Sequence, residues 1–429
     1  MAEKAVPDNP IEAVHTAWRA DSARLVGALT RMTRDVELAA DFVQDALVAA
    51  LEQWPAMGVP DNPTAWLMTT AKRRGIDHFR RAETLNRKVS ELEHAPPGED
   101  DMTDLESAVD FIEDDVLRLM FLCCHPKLSP ASRAALTLRL VGGLTTSEIA
   151  RGFLTTETAM GQRISRAKKS LSNAGADFEL PTGEARAQRL GDVMAVIYLV
   201  FNEGYSATAG EDWMRPALAT EALRLARLLS SVARDEPEVL GLQALLELQA
   251  SRFAARLDDH GEPVLLESQD RTRWDQSMIQ RGLVALQQAE HLAATGQPVG
   301  QYFLQAAIAA QHARSEHAEN TNWRRIAMLY DLLAGAAPGP TIEVNRAVAY
   351  GRAFGPEAGM AVLDALDSAA LRDSPLVPSV RADLFERSGQ HRMASETFAE
   401  AAKLSRNASE RAVLRRRAAE NLAQSRHSH

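Results

Sequence analysis

The sequence predicts an all-α protein of several domains, and three observations point there. Ala, Leu, Arg and Glu dominate, and aromatic residues make up only 5% of the chain, too few for most β-rich folds. Alternating runs of Val, Ile, Thr and Tyr, the mark of half-buried strands, are hard to find. Apolar positions recur instead at helical spacing, and 429 residues exceed what one ordinary core organises, so roughly two to four domains are expected.

Composition narrows the setting. The 45% apolar and 25% charged content is that of a soluble globular protein, and no stretch is uncharged for the ~18 residues that a membrane span needs. The opening MAEKAVPDNP lacks the apolar run of a signal peptide. The cysteines, Cys123 and Cys124, are adjacent and cannot build an ordinary disulfide framework. A reducing, cytoplasmic setting and no membrane partner are therefore expected.

The net charge of -10 argues against nucleic-acid binding only as an average. Residues 72–88 hold seven basic side chains, residues 89–115 hold eleven acids with no Lys or Arg, and residues 116–175 carry a net +7. Two basic blocks flank one acidic block.

From Asp35, a plausible N-cap, DVELAADFVQDALVAALEQW places Leu38, Phe42, Val43, Ala46, Leu47, Ala50, Leu51 and Trp54 on one helical face. Asp41, Gln44, Asp45 and Glu52 fall on the polar side, which alone reads as a solvated surface. Pro63 can start the next helix, whose apolar side includes Trp66, Leu67, Ala71, Ile76 and Phe79 and whose far half is crowded with Lys72, Arg73, Arg74, Arg80 and Arg81. Such a cluster of cations suits phosphate neutralisation better than a merely solubilised helix end.

Residues 89–115 combine Pro96-Pro97-Gly98 with GEDDMTD, a composition that favours a flexible, extended connection and a domain boundary. Beyond Leu117 the pattern is that of a helix-turn-helix. Thr145 and Glu148 have capping-box spacing and open a short helix through Arg151; GFLTT turns the chain; a second helix follows from about Thr156 to Leu171. Leu144, Ile149, Ala150, Leu154, Ala159, Met160 and Ile164 can form its core. The second helix then exposes Thr158, Gly161, Gln162, Ser165, Arg166 and Lys169, flanked by Arg163 and Lys168, with no acid after Glu157. A helix so equipped suits the major groove, where Arg favours guanine, Gln favours adenine and Lys grips phosphate. Cys123, Cys124 and His125 do not suggest a metal site, because adjacent cysteines rarely both reach one tetrahedral ion; small buried packing is expected.

From residue 180 onward the chain reads as helical, and a period emerges near its end. In RADLFERSGQHRMASETFAEAAKL, Ala382, Ala394, Phe398 and Ala401 stand at the small-small-large-small spacing of a tetratricopeptide repeat of ~34 residues, with Gly389 at its turn. Ala347, Gly359, Leu363 and Leu366 form a second register, and Ile326, Tyr330, Leu333 and Pro338 a weaker third. PEVLGLQALLELQASRFAARLDDHG suggests a further, degenerate helix pair. Asn202, Glu203, Arg252, Arg256, Asp270, Arg271 and Arg273, within or near YLVFNEGYSAT and LLESQDRTRWD, are read as a buried polar network fixing helices, with a ligand or partner pocket as the alternative. No nucleophile, base or metal set is assembled, so neither catalysis nor a cofactor is expected.

These motifs together resemble the extracytoplasmic-function sigma factors of bacterial RNA polymerase, in the subgroup with a tetratricopeptide-like C-terminal extension. The acidic-Gln-acidic helix before P-x-A-W-L and an arginine-rich end resembles their second conserved region; G-L-T-x-x-E-I-A followed by R-I-x-R-A-K-K-x-L resembles their fourth. The resemblance implies that residues 10–90 bind core polymerase and the minus-ten element, 91–115 form an acidic flexible linker, 116–175 bind the minus-35 element, and 180–425 form a regulatory helical domain. It implies that Asp41, Gln44 and Asp45 meet the beta-prime clamp of core RNA polymerase, with the beta flap as a second contact of the fourth region. Lys72, Arg73, Arg74, Arg80 and Arg81 would face the minus-ten DNA. Thr158, Gln162, Arg163, Ser165, Arg166, Lys168 and Lys169 would face promoter DNA at minus-35. Arg73 stands where the family often has Asn, and Gly161 where a basic residue is common. Promoter DNA, core polymerase and a protein or small-molecule partner of the repeats are the implied partners. An operator-binding helix-turn-helix regulator is the rival, distinguished by having no need of the Asp41, Gln44 and Asp45 face. A peptide-binding scaffold, or an enzyme built around Asp270, fits the +7 block less well.

Overall fold

The computed structural model describes residues 9–90, 111–153, 155–173, 178, 181–205, 214–366 and 371–427. They form helices and short 3-10 turns with no β-strand among the described residues, as the composition predicts. Two compact units divide between Ile197 and Tyr198.

In the first unit, α1 (Pro10–Thr33), α2 (Val36–Met57) and α3 (Pro63–Ser90) pack on one another. Their starts are local in origin. Asn9 accepts from the Ile11 N–H, and Asp35 from the Glu37 and Leu38 N–H groups; Asn62 accepts from the Ala65 N–H ahead of the pre-set φ of Pro63. Buried Trp54 meets Trp66 edge to face at 5.5 Å, closing α2 against α3.

α4 (Phe111–Cys123) lies against α1 at Gly27, where an added Cβ would stand 3.0 Å from the Asp115 carbonyl oxygen. Asp115 is 1% exposed and pairs with Arg31 at 3.3 Å and Arg118 at 3.0 Å. The extended connector expected to reach residue 115 therefore ends earlier. Residues 111–115 are helical, and two arginines neutralise the buried Asp115. Residues 91–110 lie outside the described residues.

α5 (Pro130–Leu140), α6 (Thr146–Gly152) and α7 (Glu157–Asn173) complete a helix-turn-helix. α8 (Gly183–Tyr205) begins in this unit, where Asp192 pairs with Arg133 at 2.9 Å, and runs across the division.

The second unit continues through α9 (Pro216–Val232), α10 (Pro237–Ala250), three 3-10 turns between Phe253 and Arg273, and α11 (Gln276–Ala294). Glu247, fully buried on α10, accepts from Arg227 Nε at 2.7 Å and Arg281 Nε at 3.2 Å, tying α9 and α11 to α10. The degenerate pair expected over 237–261 is thus one helix and an irregular return, with α11 as the packing partner: the helix of buried leucines ends at Ala250.

The remaining helices are α12 (Gln301–Ala313), α13 (Trp323–Ala336), α14 (Pro340–Phe354), α15 (Pro356–Asp364), α16 (Leu376–Arg387), α17 (His391–Leu404) and α18 (Ala408–His427). Ala382 on α16 and Ala394, Phe398 and Ala401 on α17 are all 0% exposed, so the last repeat packs as its period predicts. Gly389 makes its turn at φ 74°, a conformation glycine adopts freely. The second register joins α14 and α15 with Ala347 and Leu363 buried, and a Cβ on Gly359 would be 2.6 Å from the Ala347 carbonyl. The third differs: Ile326, Tyr330 and Leu333 share the single helix α13, and Pro338 is exposed beyond its end.

Candidate nucleic-acid interface

Three exposed faces of the first unit hold the residues singled out from sequence. On α2, Asp41, Gln44 and Asp45 are exposed while Phe42, Val43 and Ala46 are buried, so the polar triplet is what burial of the apolar face leaves outside. On α3, Arg73, Arg74, Arg80 and Arg81 are exposed and Lys72 is half-buried. Phe79, expected in the core, is 41% exposed between these arginines, because Leu67, Ala71 and Gly75 take the buried line of the helix. Its ring meets His78 edge-on at 5.7 Å. Sequence reading missed it as a surface feature; its place beside Arg80 was the available signal. Leu51, placed on the apolar face of α2, is likewise 42% exposed.

The helix-turn-helix is built by a reciprocal cap. Thr145 Oγ1 accepts from the Glu148 N–H at 3.1 Å while Glu148 Oε2 accepts from the Thr145 N–H at 2.8 Å. Burial pushes the Glu148 carboxyl up, yet the Thr145 hydrogen bonds and the Arg19 guanidinium outweigh it and hold the group below the usual carboxylate range. Leu144, Ile149, Ala150, Met160 and Ile164 are buried and Ala159 half-buried; Leu154 lies outside the described residues.

On α7, Thr158, Gln162, Ser165, Arg166 and Lys169 are exposed and Arg163 is half-buried. Gly161 has open space: a Cβ there would touch only Thr146, at 3.8 Å. Lys168 is half-buried; burial lowers the pKa of its ammonium, and Asp41 and Arg139 act on it in opposite directions. One residue-face further, Ser172 Oγ donates to Asp35 Oδ2 at 2.9 Å.

Cys123 and Cys124 are fully buried free thiols. Burial pushes Cys124 up to about 12, against the opposing hydrogen bond from Thr137. Among the described residues no group of three or more His, Cys, Asp or Glu side chains is placed to hold a metal ion. No helix among them is long and apolar enough to cross a membrane.

The residues read as one buried polar network fall into separate places in the second unit. Glu203 pairs with Arg215. Arg252 Nη2 donates to the Tyr205 hydroxyl and to Gln249, and Arg256 lies 3.7 Å over the Tyr205 ring while donating to the Tyr205 carbonyl at 3.0 Å. Arg271 donates to the carbonyls of His312 and Ser315 at 2.7 and 2.6 Å. Asn202 is exposed, Asp270 accepts from Thr272 within its own surface turn, and Arg273 reaches solvent-exposed Asp259 at 4.0 Å. Local turn bonding satisfies Asp270 where it stands, so it is never drawn into the interior.

Comparison with known proteins matches this layout. The Sigma-70 region 2 family matches residues 18–84, the Sigma-70, region 4 family matches residues 118–171, and a family of unknown function, DUF6596, matches residues 189–290. The uncharacterized protein R00370 of Rhizobium meliloti is 42% identical over 392 residues, 91% of each chain. The probable ECF RNA polymerase sigma factor SigI of Mycobacterium tuberculosis is 28% identical over 161 residues, 38% of this chain and 55% of that one. The ECF RNA polymerase sigma factor SigK of a Mycobacterium species is 25% identical over 176 residues, 39% of this chain and 86% of that one. No solved structure matches.

Proposed function

As this chain belongs to the extracytoplasmic-function RNA polymerase sigma factors and carries a C-terminal helical extension, we propose a division of labour among its faces. It directs promoter-specific transcription initiation as a partner of core polymerase and promoter DNA. Residues 10–90 hold polymerase and the minus-ten element, 91–110 connect, 116–175 read the minus-35 element, and 180–425 regulate. Asp41, Gln44 and Asp45 dock on the beta-prime clamp, the fourth region meets the beta flap, and the protein works in the cytoplasm without catalysing a reaction of its own.

Lys72, Arg73, Arg74, Arg80 and Arg81 neutralise phosphates of the opened minus-ten strand, and the exposed Phe79 ring offers an unpaired base a stacking surface. Gln162, Ser165 and Arg166 read base edges at minus-35, with Thr158, Arg163 and Lys169 on the backbone. Lys168 joins them on the backbone side. The single observation that supports this reading most is the exposed, acid-free face of α7, set on a capped helix-turn-helix in the same unit as the α3 arginines.

In vitro transcription with purified core polymerase across a promoter library tests it. A promoter-specific product is expected; no polymerase binding and no such product would refute it. A chain ending after Tyr205, which keeps α8 whole, tests the extension, and reduced activity is expected if the repeats help to activate.

A further inference from the structure

Within the second unit, a cavity of about 240 Å³ opens between α10, α12, α13 and the 3-10 segment that ends at Trp274. At ~30 Å³ for a water-sized group, it has room for roughly eight such groups, the scale of a small organic molecule. One side of its lining is apolar, with Leu245, Leu248 and Ile308. Among the described residues no carboxylate lines it.

The other side presents unused polar atoms. Arg252 Nε, Trp274 Nε1 and His312 Nδ1 are all buried without a hydrogen-bond partner, although the three residues line the same cavity. Buried polar atoms without partners are rare, since each costs its lost hydration, and three around one cavity point to something that fills it.

The charge balance says what kind of group that is. Arg252 forms no ion pair among the described residues: its Nη2 meets only the neutral Tyr205 hydroxyl and Gln249. Arg271 likewise donates to two carbonyls and a hydroxyl, with no carboxylate. The two guanidinium carbons lie 6.0 and 4.9 Å from the centroid of the Trp274 ring, so two cations approach one indole. Cation–π contact offsets only part of the desolvation of a guanidinium, whereas an anion would offset it through charge-assisted hydrogen bonds. His312 reports the same field: burial first, and then Arg252 and Arg271, hold its imidazole neutral.

We propose that this cavity is a binding site for a small organic anion, its charged end on Arg252 and the Trp274 N–H and its apolar body against Leu248 and Ile308. A carboxylate and a phosphate monoester share the required chemistry. The inference rests on the second unit alone and does not depend on how the first engages DNA.

Full-length protein labelled at histidine, with the His312 signal assigned by its loss in His312→Gln, is titrated with benzoate, phenyl phosphate and the neutral isostere benzamide at constant ionic strength. Saturable movement of the His312 signal by at least one of the two anions is expected, at concentrations at least tenfold below any effect of benzamide. Whichever anion binds more tightly identifies the class. Arg252→Gln should weaken the response at least tenfold, and Arg252→Lys, which keeps the charge but not the planar fork, should fall between. Equal response to benzamide, or none to either anion in the wild-type chain, overturns the proposal whatever the variants do. An unchanged response in folded Arg252→Gln does so too.

Discussion

Arg19 on α1 donates to Glu148 on α6 across 2.7 Å, through the same carboxylate that closes the helix-turn-helix capping box. One side chain thus serves a local helix start and a contact between elements 129 residues apart. Ser22 Oγ adds a bond to the Val141 carbonyl at 3.0 Å, and a Cβ on Gly143 would be 2.9 Å from that hydroxyl.

Glu148→Ala should therefore cost about 1 kcal/mol, and Arg19→Met less than about 1 kcal/mol because the pair is partly solvated. Urea unfolding of both single variants and the double variant measures their coupling. The pH dependence has a definite sign. Because the folded carboxyl lies below its unfolded value, its contribution is fully present above the ordinary glutamate range and is lost as pH falls through the folded pKa. Glu148→Gln should flatten that limb of the stability curve; an unchanged limb would show that Glu148 does not contribute to it.

Gln162→Ala and Arg166→Ala should each lose about 1–3 kcal/mol of discrimination at one position of the upstream element. Lys169→Ala should instead weaken binding uniformly and reduce the salt slope by about 1. Competition binding at several salt concentrations separates the two behaviours. A uniform loss in all three variants would mean that α7 makes no base-specific contact.

Asp45→Lys should sharply weaken capture by core polymerase and leave the melting temperature within about 1 °C, since its side chain is exposed and surface changes cost little. Retained capture would move the docking face elsewhere.

Gly359→Ala places a methyl 2.6 Å from the Ala347 carbonyl and 2.8 Å from Leu384 Cδ2. Overpacking of this kind costs about 1–3 kcal/mol, and Phe398→Ala, which empties a fully buried site, about 3–5 kcal/mol. Calorimetry of the full chain should show both losses in the same transition.

Cys123 and Cys124 should resist thiol reagents in the folded chain and react on unfolding. Burial raises both thiols, Cys124 to about 12, so almost no thiolate exists at neutral pH. Rapid labelling in the native state would contradict their burial.

What the sequence determined by itself was whatever depends on neighbours within a turn or two. The Asp35 cap, the Thr145–Glu148 box, the Gly389 turn and the small-large period of α16 and α17 are all of that kind, because each follows from backbone geometry repeated every 3.6 residues. Exposure of Gln162, Ser165 and Arg166 followed from the same period. Only the tertiary structure decided contacts between distant segments. Glu238 on α10 accepts from the Gly300, Tyr302 and Phe303 N–H groups and so caps α12 from more than sixty residues away, while Gly241 leaves space for that approach. Lys168 was half-buried, Asp115 was buried between Arg31 and Arg118, and Arg252, Trp274 and His312 converged on one cavity. No local spacing encodes these, because the partner that decides each side chain's fate is supplied only when the helices pack.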